Sequence, residues 1–257
     1  MSGRIERMKA CLNGRRDRSE HSGVPTTPGE LARSAEAAVA AGAEAVHLHA
    51  RDGSGAESLA AADIGAAVAA VRAVCPDTPV GVSTGLWITG GDPRARQLAV
   101  AGWAGLGVRA RPDFASVNVC EPGWTELAGT LSLAGILTEA GVWSVADARA
   151  LVSAPVADLA RILVEITGGP AETAVDRADQ ILRELDDAGA TAPRLLHGER
   201  EWCWPLVARA GALGLPTRIG LEDTIVGPDG QPVTGNADLV RLALAHWTSA
   251  SSIPQPD

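Results

Sequence analysis

The stretch TPGELARSAEAAVAAGAEAVHLHAR, residues 27–51, carries a complete helix signal followed directly by a short apolar run. Thr27 can cap the helix, Pro28 fits its first turn, and Glu30 can complete a capping box with the cap residue. Gly42 ends the helical periodicity, because glycine readily adopts the backbone conformation that closes a helix. The stretch therefore predicts one helix and the strand after it, which is the repeating step of an alternating α/β fold.

This step repeats along the chain, and the number of repeats decides the architecture. Short apolar runs alternate with longer segments of helical periodicity. The predicted strands cover residues 9–14, 45–51, 79–85, 114–119, 135–141, 161–166, 193–199 and 217–223. The predicted helices after the first cover residues 58–74, 93–102, 122–133, 144–156, 171–188, 201–213 and 236–247. Eight strands and eight helices in 257 residues predict a single-domain (β/α)₈ TIM barrel.

The barrel is expected to span residues 1–257, with short disordered tails at about 1–7 and 250–257. An open, doubly wound sheet is the alternative architecture. That fold commonly carries a G-x-G-x-x-G phosphate loop after its first strand, and no such loop follows residues 9–14. We therefore expect the closed barrel.

Composition and charge exclude some classes of function. Hydrophobic residues make up 46% of the chain and charged residues 21%, as is typical of a globular enzyme. The net charge of -9 argues against a nucleic-acid partner, whose phosphates require a basic surface. The four cysteines are scattered without a C-x-x-C pair, so we expect reduced thiols. The N-terminus lacks the apolar run of a signal peptide and no stretch has the length of a membrane span, which predicts a cytoplasmic protein without a membrane partner.

Polar residues gather near the carboxyl ends of the predicted strands, where (β/α)₈ barrels build their sites. They are Asn13, Arg16, His47, His49, Ser83, Thr84, Ser116, Asn118, Glu139, His197, Glu199, Arg218, Glu222 and Asp223. We expect the functional site among them.

His47 and His49 form the most informative pair. Side chains alternate along a strand, so both imidazoles project from one face while Leu48 points to the other. Two polar residues trapped in a strand are the simpler interpretation. Burying two unpaired imidazoles is costly, however, and zinc takes nitrogen and carboxylate ligands, so the pair indicates a metal site.

The last predicted strand, TRIGLED, offers a third ligand. Period two places Arg218 and Glu222 on one face, and Glu222 can reach a metal if that face lines the barrel interior. A structural ion pair between Arg218 and either acid explains the same stretch equally well. Asp223 lies at the strand end, so the direction of its side chain is open.

Three further strands carry candidates of lower specificity. Glu139 lies in an otherwise apolar or small strand, where an inward carboxylate is expensive unless it meets Arg218, a metal or a substrate. An outward Glu139 would simply be solvated. Ser83 and Ser116 are as common at helix caps as at substrate sites, and Asn118 is no more specific.

Several motifs together resemble the β-keto acid cleavage enzymes, whose founding activity is 3-keto-5-aminohexanoate cleavage. They are the early N-G, HSGVPTTPGE, AGAEAVHLHARD, VSTG, SVN, RIGLED and GNADLV. The resemblance runs from about Lys9 to His246. The combination of HLHARD with RIGLED is far more specific than either motif alone.

The resemblance implies a zinc-dependent (β/α)₈ barrel, usually a homotetramer, that condenses a β-keto acid with acetyl-CoA. The products are acetoacetate and a new CoA thioester. Carried over by position, the implied roles are zinc ligation by His47, His49 and Glu222, base catalysis by Asp223 with Arg218 as its electrostatic partner, catalysis by Glu139, and substrate binding by Ser83 and Ser116. Asn118 joins the substrate-binding set through its place at a strand end.

One position departs from the members that accept an amino-bearing substrate. Those members carry an acidic residue two positions after the first-strand glycine, whereas here Arg16 follows Gly14 at that spacing. Guanidinium groups pair with carboxylates in a fork, so Arg16 predicts a β-keto acid with an anionic or neutral tail. An Arg16 side chain that turns outward would remove this prediction.

Two alternative functions remain open from the sequence. A zinc amidohydrolase barrel also carries H-x-H, but on its first strand, together with further histidines on middle strands and a late aspartate. Here the pair lies on the second strand, and of the remaining histidines only His197 lies in a strand. A metal-holding barrel could also bind a metabolite without turnover. Acid and base residues of both signs argue against it.

Overall fold

The computed structural model describes residues 5–154 and 156–252, and their strands form one parallel sheet with the order β7-β6-β5-β4-β3-β2-β1-β8. The strands are β1 (Met8–Cys11), β2 (Ala45–Leu48), β3 (Val80–Ser83), β4 (Phe114–Asn118), β5 (Leu137–Val142), β6 (Leu159–Ile166), β7 (Arg194–Gly198) and β8 (Thr217–Ile219). The backbone N–H of Leu196 donates to the carbonyl of Pro216 over 3.0 Å, and the Thr217 hydroxyl donates to the carbonyl of Leu196 over 2.7 Å. These bonds join β7 to β8, so the barrel is closed and the prediction of a (β/α)₈ fold is confirmed.

A helix follows each strand and covers the outside of the barrel. The helices are α1 (Pro28–Ala40), α2 (Ala61–Val74), α3 (Pro93–Ala101), α4 (Trp124–Leu133), α5 (Val145–Ser153), α6 (Ala174–Asp187), α7 (Cys203–Leu213) and α8 (Asn236–Ser251). The predicted capping box is present, because the Thr27 hydroxyl accepts from the Glu30 N–H and the Glu30 carboxylate accepts from the Thr27 N–H. Within the described residues, no helix has the length and apolarity needed to cross a membrane.

Alternation along the strands separates the core from the site. Val46 and Leu48 of β2 are buried in the apolar layer between strands and helices, together with Leu31 of α1. His47 lies between them and faces the barrel interior, where it neighbours His49. The apolar face of each strand therefore supplies stability, which leaves the inward face free to carry polar groups.

The predicted tails need a correction where the structure describes them. Ile5 is buried and packs with Phe114 and Leu195 in the barrel interior, and α8 continues to Ser251. Residues 1–4 and 253–257, the outer parts of both predicted tails, lie outside the described residues. The apolar Ile5 side chain explains the difference at residues 5–7, because its burial against Phe114 and Leu195 holds this segment on the barrel.

The last strand is shorter than predicted, and this changes the argument for Glu222. β8 ends at Ile219. The next residue, Gly220, packs so closely on the Cys11 backbone that no side chain fits there. The chain then turns, with the N–H of Asp223 donating to the Gly220 carbonyl over 2.9 Å. Glu222 reaches the interior through this turn and not through strand alternation, so the period-two argument for it was wrong.

Candidate active site

His47, His49 and Glu222 converge at the carboxyl end of the barrel. The Nε2 atoms of His47 and His49 lie 3.8 and 3.7 Å from Oε2 of Glu222. One nitrogen or oxygen from each residue lies within 4.8 Å of the others. The two histidines expose only 1% and 4% of their surface. The structure thus brings together the three residues predicted as metal ligands.

The carboxylates around this trio favour one positive charge, which without an ion is a proton on His49. Burial lowers the pKa of His47 to about 3, so its imidazole is neutral and keeps a lone pair for coordination. Burial also disfavours charge on His49, but Glu222 and Glu57 outweigh it and raise its pKa to about 9. Burial alone would raise the pKa of Glu222, whereas Arg218 and the histidines hold it well below its ordinary value.

One buried oxygen without a hydrogen-bond partner tests whether a metal ion fits this site. Oε2 of Glu222 is buried and accepts no hydrogen bond from the described residues, although it faces both imidazoles. Buried carboxylate oxygens are normally satisfied, so this atom requires a partner. Two imidazole nitrogens and one carboxylate form the donor set of many catalytic zinc sites, and the residues fit such an ion.

Arg218 and Asp223 form a buried pair beside the trio. Nη2 of Arg218 donates to Asp223 over 2.7 Å and to Glu222 over 2.9 Å. Burial raises the pKa of Asp223 and Arg218 opposes this, with a net increase over the ordinary value. Arg218 therefore favours the charged form of Asp223, as expected, but burial outweighs it. A carboxyl group whose pKa is raised in this way is suited to a general base.

Glu165 and His197 are further polar residues beside the Arg218–Asp223 pair. The sequence argument gave neither of them a role in the site. Oε1 of Glu165 lies 3.0 Å from His197 Nε2 and 3.4 Å from Arg218 Nη2. Its other oxygen accepts from the Trp143 indole N–H over 2.7 Å. Asp223 also lies 3.8 Å from His197 Nδ1. Glu165 thereby links the wall of the cleft to the Arg218–Asp223 pair.

A cleft with an inner and an outer part opens over these groups. The inner part is lined by His47, Ser83, Ser116, Asn118, Trp143, Leu163, Glu165, Thr167 and Arg218. The outer part is lined by Arg16, Glu20 and Arg200. Both parts share Arg15, His49, Trp87, Glu199 and Glu222. The predicted substrate residues Ser83, Ser116 and Asn118 thus lie in the inner cleft, while the Ser83 hydroxyl also accepts from the Gly85 N–H.

Glu139 does not line this cleft, which corrects the expectation for it. Its carboxylate is fully buried and accepts from Lys9 over 2.5 Å and from Arg161 over 2.6 Å. Burial would raise the pKa of Glu139, but Lys9 and Arg161 hold it well below the ordinary value. The sequence argument required a partner for an inward carboxylate, and the partners are these two cations instead of Arg218, a metal or a substrate.

The expectation for Arg16 also changes. Arg16 pairs with Glu20 over 2.6 Å at the outer cleft, which neutralises it locally. Arg15 instead lines both parts of the cleft, and its guanidinium carbon lies 5.2 Å from the Trp87 ring centre. Arg15 is therefore better placed than Arg16 to meet an anion.

The loop that presents Arg15 is held firmly. Gly14 has φ +57°, and its α-carbon packs against the Glu222 side chain where no β-carbon would fit. Nη2 of Arg51 donates to the carbonyls of Gly14 and Arg16, over 3.1 and 2.6 Å. The position of Arg15 is thus set by the residues on either side of it.

The sequence argument missed Arg15, Glu57, Trp87, Trp143 and Glu165. Only Glu165 had a signal of its own, because it is an acid within the apolar strand RILVEI, as Glu139 is within GILTEAG. Trp87 lies in the short 3₁₀ helix Leu86–Thr89 between β3 and α3, and the other three lie in loops. The approach of such connections to the site depends on the three-dimensional path of the chain.

The fold and the site define a (β/α)₈-barrel enzyme in which a metal-type donor set and Arg218 line one cleft, with the Asp223 carboxyl group fully buried behind Arg218. The sequence profile of beta-keto acid cleavage enzymes (BKACE) matches residues 8–252. The chain therefore belongs to the β-keto acid cleavage enzyme family, and the resemblance seen in its motifs is confirmed. No curated protein gives a significant match.

Solved structures agree on the fold. A ternary complex of ObcA with a C4-CoA adduct and oxalate aligns with a TM-score of 0.73 at 18% identity, covering 88% of this chain and 64% of ObcA. A binary complex of ObcA with oxaloacetate gives 0.70 at 19% identity, with 86% and 63% covered. The 3-dehydroquinate dehydratase from Aquifex aeolicus VF5 gives 0.59 at 12% identity, with 96% and 100% covered. The chain spans less than two thirds of ObcA.

Proposed function

We propose that this chain condenses a β-keto acid with acetyl-CoA to give acetoacetate and a new acyl-CoA, with Zn²⁺ as its metal. The observation that carries the proposal is the convergence of His47, His49 and Glu222 beside the buried Arg218–Asp223 pair. Family membership and the CoA adduct bound by ObcA support it.

His47, His49 and Glu222 would hold the ion, which when bound supplies Lewis-acid stabilisation of developing negative charge. Asp223 is the base that removes a proton from the carbon between the keto and carboxyl groups of the substrate. Arg218 lines the inner cleft and fixes the buried Asp223 carboxylate next to it through two hydrogen bonds to Oδ1, which leaves Oδ2 without a partner among the described residues. Ser83, Ser116 and Asn118 orient the keto acid from the opposite wall.

The remaining steps balance without hydrolysis or an external oxidant. The substrate carbanion attacks the acetyl thioester, and the C–S bond breaks to release the CoA thiolate. This thiolate attacks the original keto carbon, the C–C bond next to it breaks, and the acetoacetate carbanion takes back the proton that Asp223 removed. Acetoacetate leaves with the acetyl group, and the rest of the substrate leaves as the acyl-CoA. The outer cleft, with Arg16 and Arg200 on its wall, is the proposed entry for acetyl-CoA.

The proposed substrate has an anionic or neutral tail, and Arg15 replaces Arg16 as the residue that recognises it. Among the described residues, no carboxylate forms an ion pair with Arg15. A hydrogen bond to a charged group contributes about 1.5–3 kcal/mol, so Arg15→Gln should lower kcat/KM for a dicarboxylic β-keto acid by about 10-fold to 100-fold. Arg16→Gln is the matched control and should cause the smaller decrease.

The test is incubation of the full chain with Zn²⁺, acetyl-CoA and a panel of dicarboxylic, neutral and amino-bearing β-keto acids. We expect acetoacetate and one new acyl-CoA in equal amounts. If no β-keto acid of the panel yields an acyl-CoA, the proposal is contradicted. The alternative of a barrel that binds a metabolite without turnover would then be favoured. Hydrolysis without acyl-CoA would favour the amidohydrolase alternative, although His21 and His246 lie outside the cleft.

A further inference from the structure

Glu57 contacts two functional groups of the cleft at once. Its Oε1 lies 2.5 Å from Nδ1 of His49, and its Oε2 accepts from the Trp87 indole N–H over 2.9 Å. The Glu57 side chain is only 14% exposed. One carboxylate thus joins a proposed metal ligand to a wall of the substrate cleft.

The chemistry of these contacts requires a carboxylate. Nε2 of His49 faces Glu222, so coordination there leaves the proton on Nδ1, which then donates to Glu57. The indole nitrogen of Trp87 is also a donor and cannot accept. Two donors need two acceptors, and an ionised carboxylate supplies them. A glutamine has one acceptor and one donor in the same place, so it can satisfy only one of the two groups.

The backbone holds Glu57 in this position. Arg51 and Glu57 form an antiparallel bridge, which closes the loop after β2. Inside the loop, the Asp52 carboxylate accepts from the N–H groups of Ser54 and Ala56 over 2.8 and 3.1 Å. The carboxylate of Glu57 is therefore preorganised instead of being drawn in from solvent.

Trp87 extends the contact towards the substrate. Its ring stacks on His49 with ring centres 6.3 Å apart and planes inclined by 24°. Arg15 lies over the same indole. The orientation of Trp87 thus determines both the packing of a proposed metal ligand and the support beneath Arg15.

We propose that Glu57 is a positioning residue that holds His49 for metal binding and couples it to the Trp87 wall. The inference rests on the proposed metal site, and it adds a residue outside the ligand set. Outer partners of ligating histidines fix the ring and raise its basicity, and their loss costs about 10-fold to 100-fold in metal affinity.

A double-variant cycle tests the inference by Zn²⁺ affinity, measured through competition with a chromophoric chelator and without substrate. Glu57→Gln should weaken Zn²⁺ binding by about 10-fold to 100-fold. Trp87→Phe removes the indole N–H and keeps a ring on His49, so its effect should be much smaller. The double variant should recover most of the loss, because the glutamine oxygen can then turn to His49 without opposing an indole donor.

Glu44→Gln is the matched control. Glu44 is also half-buried and accepts from two N–H groups, those of Glu6 and Arg7, but it lies before β2 at the other end of the barrel. The Zn²⁺ affinity of Glu44→Gln should equal that of the wild type. Glu57→Asp keeps two acceptors on a shorter side chain and serves if Glu57→Gln does not fold, with an intermediate affinity expected.

Wild-type affinity in Glu57→Gln, or a wild-type chain that does not bind Zn²⁺, would overturn the inference. A double variant as weak as Glu57→Gln would overturn the coupling to Trp87. The proposed function fails separately, because acetoacetate formation is measured in a different experiment. A chain that binds Zn²⁺ with the expected pattern but forms no acyl-CoA would refute the function and leave the role of Glu57 intact.

Discussion

Two clusters of buried charge occupy the barrel interior, and they differ in how completely their atoms are satisfied. The lower cluster is Lys9, Glu139 and Arg161, and both Glu139 oxygens in it are bound by cations. The upper cluster is His47, His49, Arg218, Glu222 and Asp223, and buried atoms of three of its members have no hydrogen-bond partner among the described residues. The cluster residue Arg161 precedes the cleft residue Leu163 by two positions along β6, so the lower cluster lies towards the amino ends of the strands.

The comparison separates structural charge from functional charge. Burying a charge costs free energy unless the charge is paired. In the lower cluster every charge has an opposite partner, and the Arg161 guanidinium also lies 4.7 Å from the centre of the Phe114 ring. The upper cluster keeps buried, unsatisfied atoms beside a cleft, which is costly unless a ligand completes them. Burial and charge alone do not distinguish the two clusters, but the unmatched atoms do.

Metal removal should have the largest effect. Chelation of the wild-type chain, or His47→Ala, should lower kcat/KM for acyl-CoA formation on the order of 10⁴-fold, since the ion supplies several kcal/mol of charge stabilisation. Added Zn²⁺ should restore the chelated wild type and not His47→Ala. His246→Ala is the control, because His246 packs on Trp204 away from the cleft. Full activity of the metal-free chain would show that the upper cluster does not need an ion.

Asp223→Asn tests the base within the same cluster. The amide cannot take a proton, so kcat should fall by about 10²-fold to 10⁴-fold, while Zn²⁺ affinity stays close to that of the wild type. Asp186→Asn, at a partly exposed pair with Arg194, should change neither quantity. A loss of Zn²⁺ affinity equal to the loss of kcat would instead make Asp223 part of the metal site.

The sequence predicted the barrel well because the strands are apolar runs between strong helix signals. His47 and His49 were predictable for the same reason, since alternation on a strand fixes their common face. Glu222 was predicted from alternation and from the resemblance, and it lies beside the histidines although the turn after Gly220 breaks the alternation. Spacing carries no information about which loop residue folds over the cleft, and Glu57 and Trp87 were missed for that reason.

Glu139 shows most clearly what sequence spacing cannot predict. An acid in an apolar strand signals a buried charge, but its partners Lys9 and Arg161 are 130 and 22 positions away in the chain. Sequence spacing does not reveal such a pairing. Arg15 and Arg16 give a second example. They are neighbours in one loop, but only Arg16 is paired with Glu20, and sequence spacing does not show this difference.

Glu139→Gln should destabilise the protein by about 3 kcal/mol in the free energy of unfolding, since it leaves two buried cations without a counter-charge. Denaturant unfolding measures this effect. Glu184→Gln, at a more exposed pair with Arg149, should cost less than about 1 kcal/mol. If the folded Glu139→Gln protein keeps its stability but loses kcat, Glu139 is catalytic after all.

The smallest effect should follow from removing the lower cluster as a unit. Replacement of a whole buried ion cluster by apolar residues of similar volume is often neutral or stabilising, because desolvation of the charges offsets their attraction. The variant Lys9→Met, Glu139→Leu, Arg161→Met should therefore unfold within about 1 kcal/mol of the wild type. It should also keep the wild-type affinity for Zn²⁺, because none of its residues lines the cleft. A weaker Zn²⁺ affinity in a stable variant would mean that the lower charges act on His47 through the barrel interior, and the two clusters would then be one electrostatic unit.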